Sequence, residues 1–378
     1  VLFVAALLLV GVLSISQASA GTPEQTDRLA GIDGPAVAGQ QHAVHKLRVL
    51  QMNIWLDGSQ VPDGVNKIAA VIAAADADVV TLSEARQREN PNLVKDLILA
   101  LATRGLTFFG QHFGGDVAVI SRWPTSTAKL VFDRFVVDDR GSLVVCHLQL
   151  PDEQEVIVAS AHLDWQGYSL YLPRGYEGNS PFAKTANPTT DLADIDRLER
   201  GSTRLAALQA LVQYLNSDRQ RRNVPVVLGG DFNDGSHLDW TAQTSSLLDH
   251  NGVVYEFPAS KMLASEGFSD AWRQLYPDPV LFPGTTWPSE TLLGSSTSWA
   301  KEADERDRID YIYYRSGANL TLRPLNASLV GSPNSYAYDR LAADAKDPFL
   351  LQQIPWPSDH KAVVADFELS ITPVQEYV

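Results

Sequence analysis

Several apolar runs of this chain end in, or lead into, side chains that can bind a cation or transfer a proton. These side chains are carboxylates, carboxamides and imidazoles: Asn53 in LQMNIWLDG, Glu84 in VVTLSEAR, His162 in VASAHLDW, Asp231 and Asn233 in VVLGGDFND, Asp310 in RIDYIYY, and Asp359 with His360 in PSDHKAVV. Carboxylate and amide oxygens suit hard divalent cations, and an imidazole exchanges a proton near neutral pH. Gly, Asn and Asp are also common turn residues, so one such cluster alone could be an ordinary turn. Together, the strand ends predict one rim that carries metal ligands and proton-transfer groups.

The segments that must position these residues alternate between short strands and amphipathic helices. Helices are predicted over 64–77, 92–105 and 197–219, and strands over 46–54, 78–84, 116–124, 140–150, 154–164, 224–233, 307–315 and 360–369. The strands at 140–150 and 154–164 form a predicted hairpin. Mixed βα and hairpin connections favour two mostly antiparallel or mixed sheets packed together, with helices outside.

Composition sets broad limits on the class of protein. Of the 378 residues, 45% are hydrophobic and 20% are charged, which suffices for one large domain or two smaller ones. The formal net charge of −15 argues mildly against avid binding of nucleic acid, although a bound cation can reverse the sign locally. Cys146 is the single cysteine, so no internal disulfide can form, and its apolar neighbours predict a buried strand thiol.

The N-terminal residues predict export. Residues 1–20 form an uncharged apolar stretch that runs into Ala18-Ser19-Ala20, a small-residue cleavage signature. Its apolar part is shorter than the ~20 residues that span a bilayer, so we expect a signal peptide, a secreted protein and no transmembrane anchor. Residues 21–44 predict a flexible lead-in, and residues 45–370 the folded domain, which contains an insertion at 164–196.

The set MNIW, LSEAR, AHLDW, GGDFND, RIDYIYY and SDHKAVV, in this order, resembles the endonuclease/exonuclease/phosphatase superfamily. That group includes deoxyribonuclease-type nucleases, abasic-site endonucleases, neutral sphingomyelinases and inositol polyphosphate 5-phosphatases. The resemblance covers roughly 46–369. It implies an α/β fold, a four-layer α/β/β/α sandwich of two mixed β-sheets flanked by helices. It also implies hydrolysis of phosphate esters with a divalent metal, Mg²⁺ or else Mn²⁺ or Ca²⁺.

The resemblance also implies roles for the carboxylates and amides of the rim. Glu84 is the principal metal ligand, and Asn53 supports the metal or a phosphate oxygen. Asp359 is a further candidate metal ligand. Asp231 and Asn233 hold an attacking water and a non-bridging phosphate oxygen, and Gly229-Gly230 would let the backbone approach the phosphate.

The two histidines are expected to move or hold protons. Asp310 lies among apolar strand residues, where a buried charge is costly unless it is paired, and His360 is the partner we expect. A carboxylate-held imidazole suits a general base, but Asp231 is an equal candidate for that role. In the nuclease branch the residue that matches His162 protonates the leaving oxygen or contacts the phosphate, and Asp116 is a candidate to orient it.

Two arginines are candidates for contacting the substrate. Arg140, just before a strand, resembles a phosphate-contacting arginine, although a surface salt bridge fits it nearly as well. Arg174 lies in the 164–196 insertion among aromatic residues: Trp165, Tyr168, Tyr171 and Tyr176. This insertion is either a self-packed loop or a substrate lid in which Arg174 meets an anionic group.

Three functions follow from these observations. The first is a secreted metal-dependent phosphoesterase that hydrolyses phosphate mono- or diesters of small-molecule or lipid substrates by attack of activated water. The second is a secreted nuclease that uses the same residues on nucleic acid, although no run rich in Lys and Arg supports it and no stable nucleic-acid complex is expected. The third is a non-catalytic binding protein on the same scaffold. We expect a monomer.

Overall fold

A computed structural model describes residues 44–151, 153–343, 346–352 and 356–371. The larger sheet has seven strands, in the spatial order β14-β11-β15-β1-β2-β4-β3. Along the chain these strands are β1 (Val44–Asn53), β2 (Val79–Ser83), β3 (Phe109–His112), β4 (Val117–Ser121), β11 (Leu320–Gly331), β14 (Phe349–Gln352) and β15 (Ala362–Ile371). β1 is parallel to β2 and antiparallel to β15, so the sheet is mixed.

The second sheet has six strands, in the order β5-β6-β7-β8-β10-β9. Its strands are β5 (Thr125–Asp133), β6 (Ser142–Gln149), β7 (Glu155–His162), β8 (Val226–Asp231), β9 (Ser269–Asp270) and β10 (Asp310–Arg315). β6 and β7 pair antiparallel, which confirms the predicted hairpin, and β7 runs parallel to β8. A separate two-stranded ribbon joins β12 (Asn334–Ala337) to β13 (Arg340–Ala343).

Eight α-helices accompany the two large sheets in the described residues. They are α1 (Gly64–Ala75), α2 (Leu93–Ala102), α3 (Phe135–Asp138), α4 (Leu192–Arg200), α5 (Arg204–Asn216), α6 (Arg219–Asn223), α7 (Pro258–Ser265) and α8 (Ala271–Leu275). One apolar core lies between the sheets, a second under α1 and α2, and a third under α5 and α7. This arrangement confirms the predicted four-layer α/β/β/α sandwich. Cys146 is buried in the core between the sheets, where burial raises the pKa of its thiol to about 12.

The helix predicted over 197–219 is wrong as a single element. α4 ends at Arg200, α5 begins at Arg204, and α6 is separate again. The guanidinium of Arg204 is buried and donates to Glu199 and to the carbonyls of Asp164 and Gly167. These bonds hold the chain in a bend that the helical periodicity of the leucines does not reveal. Strands β3, β5, β9 and β11–β14 were also not predicted.

The irregular segments before α4, between β8 and α7 and before β10 pack against one another. A fourth apolar cluster joins them, and it contains Tyr168, Tyr171, Phe182, Trp240 and Trp287. Within the 164–196 segment only a single 3₁₀ turn at Ser169–Tyr171 precedes α4. Among the described residues, no helix combines the length and the apolar character needed to span a bilayer.

Candidate active site

The strand-end residues named above meet at one rim of the sandwich. Asn53, His162 and Asp231 are the last residues of β1, β7 and β8, and Asp310 is the first residue of the antiparallel strand β10. Within the second sheet, Asp231 is the register partner of both His162 and Asp310. The larger sheet reaches the same place, because the Asn53 amide Nδ2 donates to Asp231 Oδ2 at 2.9 Å.

Two imidazoles face one oxygen of Asp231. The Nε2 atom of His360 lies 3.6 Å from Asp231 Oδ2, and the Nε2 atom of His162 lies 3.8 Å from the same oxygen. The other oxygen, Oδ1, accepts the backbone N–H of Asn233 at 2.9 Å. The Asn233 side chain donates to the carbonyl of Leu163, so it closes the turn after β8. Asp231 is therefore the centre of the polar rim.

A carboxylate holds the far nitrogen of each imidazole. Asp116 Oδ2 lies 2.5 Å from His162 Nδ1, and Asp310 Oδ2 lies 2.9 Å from His360 Nδ1. Burial is the largest single influence and lowers the pKa of each histidine, but its carboxylate partner, Asp231 and a third carboxylate together outweigh burial and raise the pKa of both to about 10. Asp116 is itself fixed by Ser142, whose hydroxyl donates to it. The pairings expected from the sequence are thus both present.

Glu84 follows β2 in a left-handed backbone conformation, with φ of 60°. Its Oε1 accepts from Asn53 Nδ2 at 3.1 Å, and its Oε2 accepts from the backbone N–H of Leu56 at 2.7 Å. Leu56 lies in a turn in which Trp55, Leu56 and Asp57 all have positive φ. Left-handed non-glycine residues cost about 1–2 kcal/mol each, and such strain is concentrated at functional sites.

Asp359 completes the acidic side of the rim. It is buried, and its Oδ1 atom has no hydrogen-bond partner. Burial raises the pKa of Asp359 to about 7, the positive charge of His360 opposes this rise, and the negative charge of Glu84 adds to it. A buried carboxylate oxygen without a donor, close to a second carboxylate, fits the ligand set of a hard divalent cation. The oxygens of Glu84 and Asp359 therefore suit a cation, whereas Asn53 Oδ1 accepts the backbone N–H of Trp55 at 2.9 Å and the Asn53 amide nitrogen faces Glu84.

Three other side chains of the rim also lie close enough together to bind one metal ion. Asp231, Asp310 and His360 each offer one atom, and the three atoms lie within 4.8 Å of one another. Asp310 already holds His360 Nδ1, so this grouping is equally a hydrogen-bonded relay. Burial raises the pKa of Asp231 to about 6, and the charge of His360 opposes the rise. The rim is thus a possible metal-binding acidic cluster.

The two glycines before Asp231 are expected from the sequence to let the backbone approach a phosphate, but the structure gives them protein neighbours. Gly229 and Gly230 lie within β8 and not in a turn, and the close approach they permit is to protein and not to a phosphate. A Cβ on Gly229 would lie 2.2 Å from Thr81 Oγ1 of the opposite sheet, and one on Gly230 would lie 2.4 Å from the Ala161 carbonyl oxygen. Gly229 therefore lets the two sheets approach closely beneath the rim, whereas Gly230 lets β8 lie close to β7 within the same sheet.

The structure does not bring Arg140 and Arg174 to the rim. Arg140 Nη2 lies 2.7 Å from Asp164 Oδ2, which is the salt bridge weighed as its alternative. Arg174 is buried and forms a two-point pair with Asp307, at 2.5 and 3.0 Å. Tyr168 also donates to Asp307, so Arg174 holds the inner side of the 164–196 segment. Their contacts place both arginines in the scaffold beside the site.

Two residues of the site were missed from the sequence. Arg86 lies two positions after Glu84; its Nε atom is buried without a hydrogen-bond partner, and its Nη2 atom lies 3.5 Å from Asp139 Oδ2. The buried carboxylate of Asp57 accepts from consecutive backbone N–H groups, those of Arg86, Gln87, Arg88, Glu89 and Asn90. The motif LSEAR contained Arg86 and could have indicated it, whereas WLDG gave no sign of the role of Asp57.

A cavity of about 280 Å³ opens over the rim. Its polar side includes Glu84, Arg86, Asp116, His162, Asp231, Asn233, Asp359 and His360. Its lining also includes the aromatic side chains Trp55, Trp165, Tyr168, Tyr171, Phe182, Trp287 and Trp299, of which Trp287 lies beside His360. The volume is at the lower end of ligand pockets, which commonly measure about 300–1,000 Å³. The cavity can thus enclose a small polar group beside an apolar one.

A sandwich of two mixed sheets with a rim of carboxylates and paired imidazoles defines a class of phosphoester-cleaving proteins. A sequence model of the Endonuclease/Exonuclease/phosphatase family matches residues 50–360. The chain belongs to this family, whose members are metal-dependent phosphodiesterases and nucleases. The predicted superfamily is confirmed.

Comparison with other proteins gives more distant similarities. The chain is 28% identical over 328 residues to an uncharacterized Caenorhabditis elegans protein, F14F9.5, covering 85% of this chain and 91% of that protein. Among solved structures, an endonuclease/exonuclease/phosphatase from Beutenbergia cavernae has 19% identity and a TM-score of 0.48, over 86% of this chain and 72% of that one. The human Nocturnin catalytic domain with bound sulfate has 18% identity and a TM-score of 0.46, over 88% and 98%.

Proposed function

We propose that this protein is a divalent-metal-dependent hydrolase of small phosphate esters. The observation that carries the proposal is the convergence of two carboxylate-held imidazoles on one oxygen of Asp231, with Glu84 and Asp359 beside it. A phosphoester needs its negative charge offset and a water aligned for attack, and this rim offers groups for both tasks. Within the described residues, Asp231, Asp310 and His360 form the group of three such side chains whose possible ligand atoms lie within 4.8 Å of one another.

The residues of the chain divide the chemistry as follows. Asp231 takes the proton of the attacking water, because its Oδ2 atom faces the cavity between the two imidazoles. His360 and His162 have their Nδ1 atoms engaged by Asp310 and Asp116, so each presents Nε2 to the phosphate. A protonated Nε2 donates a hydrogen bond to a phosphoryl or leaving oxygen.

Glu84 and Asp359 would hold the cation, and Asn53 would support Glu84 through its amide N–H. A divalent cation bound there would polarise the phosphoryl oxygen and offset charge on the leaving oxygen. Asn53 also donates to both Glu84 and Asp231, and so fixes the spacing between the metal-ligand side and the base side of the rim. Titration of the metal-free protein with Mg²⁺ and with Mn²⁺ would identify the cation.

The substrate we propose is a small ester and not a polymer. The cavity is bounded by aromatic side chains at its mouth, and the formal net charge of −15 repels polyanions. We also propose that the protein is exported, as the apolar N-terminal stretch suggests. Secretion of a reporter enzyme fused to residues 1–44 would test export separately.

The decisive experiment measures phosphate or alcohol release from phosphomonoesters, phosphodiesters, phospholipid and supercoiled plasmid, with Mg²⁺, with Mn²⁺ and with EDTA. We expect turnover of small esters that EDTA abolishes. Glu84→Gln and His360→Gln should abolish it, whereas His147→Gln, a control near the far end of β6, should retain it. Turnover that survives EDTA, or efficient plasmid nicking without ester hydrolysis, would refute the proposal. An absence of any turnover with either metal would favour a non-catalytic binding protein.

A further inference from the structure

Most of the aromatic side chains that line the cavity come from two irregular segments, the 164–196 segment and the segment that precedes β10. Trp165, Tyr168, Tyr171 and Phe182 come from the 164–196 segment, and Trp299 comes from the segment that precedes β10. The rings of Phe182 and Trp299 have centroids 4.8 Å apart, and those of Trp165 and Trp299 lie 6.0 Å apart, all in edge-to-face contact. The side chains of Trp165, Tyr168, Tyr171, Phe182 and Trp299 therefore form one continuous surface, which we call the aromatic wall.

Buried polar bonds hold this wall in place. The Tyr171 hydroxyl donates to Glu305 at 2.6 Å, and the Tyr168 hydroxyl donates to Asp307 at 2.9 Å. The Trp165 indole N–H donates to the Asp139 carbonyl at 2.8 Å. These polar atoms are thus engaged by protein, so the wall offers mainly ring faces and edges to a ligand.

The wall continues directly into the polar rim. The same cavity contains His162 and Asp231 on one side and the wall on the other. Trp299 retains 48% of its surface exposed, which is unusual for so large an apolar side chain beside a cavity. A phosphate at the rim would therefore place its attached organic group against these rings.

We infer that the substrate is a phosphoester whose organic group carries a planar aromatic ring, which packs against the wall of Trp165, Phe182 and Trp299. This inference rests on the proposed function. Aromatic rings favour edge-to-face and offset contacts, and the wall already uses this geometry among its own members. A cationic group such as quaternary ammonium would also suit aromatic rings and the carboxylates that line the same cavity, so a quaternary ammonium ligand is the competing case in the test.

Phosphonates test the inference, because they keep the charged group and are not hydrolysed. The affinities of methylphosphonate, hexylphosphonate, benzylphosphonate and 2-(trimethylammonio)ethylphosphonate, which carries a quaternary ammonium, are measured by calorimetry in the presence of Mg²⁺. We expect benzylphosphonate to bind at least about fivefold more tightly than each of the others. Trp299→Ala should remove most of that advantage and leave methylphosphonate binding unchanged. Phe109→Ala, a control at an aromatic residue 41% exposed on β3 and outside the cavity, should change neither affinity.

Equal affinities for methyl and benzyl ligands would overturn the inference, as would tighter binding of hexylphosphonate or of 2-(trimethylammonio)ethylphosphonate. A loss of benzylphosphonate affinity in Phe109→Ala as large as in Trp299→Ala would overturn it too. These outcomes differ from a failure of the proposed function. If small esters are hydrolysed with metal but the ring gives no advantage, the function stands and only the assignment of the substrate falls.

Discussion

Replacing Gly229 with alanine tests whether the rim depends on close contact between the sheets. The added Cβ would lie 2.2 Å from Thr81 Oγ1 and 3.1 Å from Thr81 Cβ, so one strand must move. Thr81 Oγ1 donates to Gln51 Oε1 at 2.6 Å, and Gln51 Nε2 lies 3.4 Å from Asp310 Oδ1. A shift of β8 at position 229 would therefore be transmitted through Thr81 and Gln51 to Asp310, the carboxylate that holds His360.

The size of the effect follows from overpacking. An extra methyl group in a well-packed core costs about 1–3 kcal/mol, which at about 2 °C per kcal/mol lowers Tm by about 2–6 °C in a domain of this size. A misplacement of a catalytic group by about 1 Å can cost about 10²-fold in rate, so we expect kcat to fall between about tenfold and a hundredfold. Thermal unfolding and steady-state hydrolysis measure the two effects.

A double-mutant cycle decides whether the contact with Thr81 is the cause. Thr81→Ala removes Oγ1 and Cγ2, and leaves Cβ at 3.1 Å as the closest remaining contact with residue 81. We expect Gly229→Ala to be less harmful in this background, with a coupling energy of about 0.5–3 kcal/mol. If Gly229→Ala is as stable and active as the parent, or if the two changes are simply additive, the reasoning is wrong.

Three further substitutions have expected outcomes. Asp310→Asn removes the charge that holds His360 Nδ1, so we expect kcat to fall by about 10²–10⁴-fold in steady-state assays with the fold retained by circular dichroism; a change of less than about threefold would contradict this. Asp57→Asn weakens charge-assisted bonds to consecutive backbone N–H groups, so urea unfolding should show a loss of about 1.5–3 kcal/mol, and an unchanged midpoint would count against it. His250→Phe keeps a ring to stack on Trp240, whose centroid lies 3.6 Å away. Burial, aided by the charge of Arg174, lowers the pKa of His250 from 6.5 to about 2. Below pH 6.5 the unfolded chain therefore binds a proton that the folded protein does not. The free energy of unfolding is at its full value above pH 6.5 and falls below that pH by up to about 1.4 kcal/mol per pH unit. The stability of His250→Phe should therefore fall less steeply between pH 6 and pH 4, and parallel curves would refute the assignment.

The sequence predicted the rim well because strand order and strand ends determine it. An apolar run that ends in a polar residue reports both the strand and the edge at which that residue lies, as for His162 and Asp231. The pairing of Asp310 with His360 was also predictable, since a buried carboxylate requires a partner. The expected signal peptide and lead-in lie outside the described residues, apart from Val44, which begins β1.

Other features depend on contacts that no local pattern encodes. The break before Arg204 follows from carbonyls about 40 positions earlier in the chain, and the role of Asp57 follows from amides about 30 positions later. The aromatic neighbours of Arg174 left open whether it belongs to a self-packed loop or meets an anion, and its partner Asp307 lies beyond the five helices α4 to α8. Side chains in irregular segments therefore could not be assigned before their long-range partners were known.

The left-handed turn after β1 has a mechanical consequence. Its Asp57 carboxylate ties the backbone of 86–90 to the end of the first strand, and Leu56 ties Glu84 to the same turn. Glu84 and Arg86 thus belong to one rigid block and cannot shift independently when a ligand enters. Any opening that admits a ligand would then have to come from movement of the aromatic wall, where Trp299 is about half exposed.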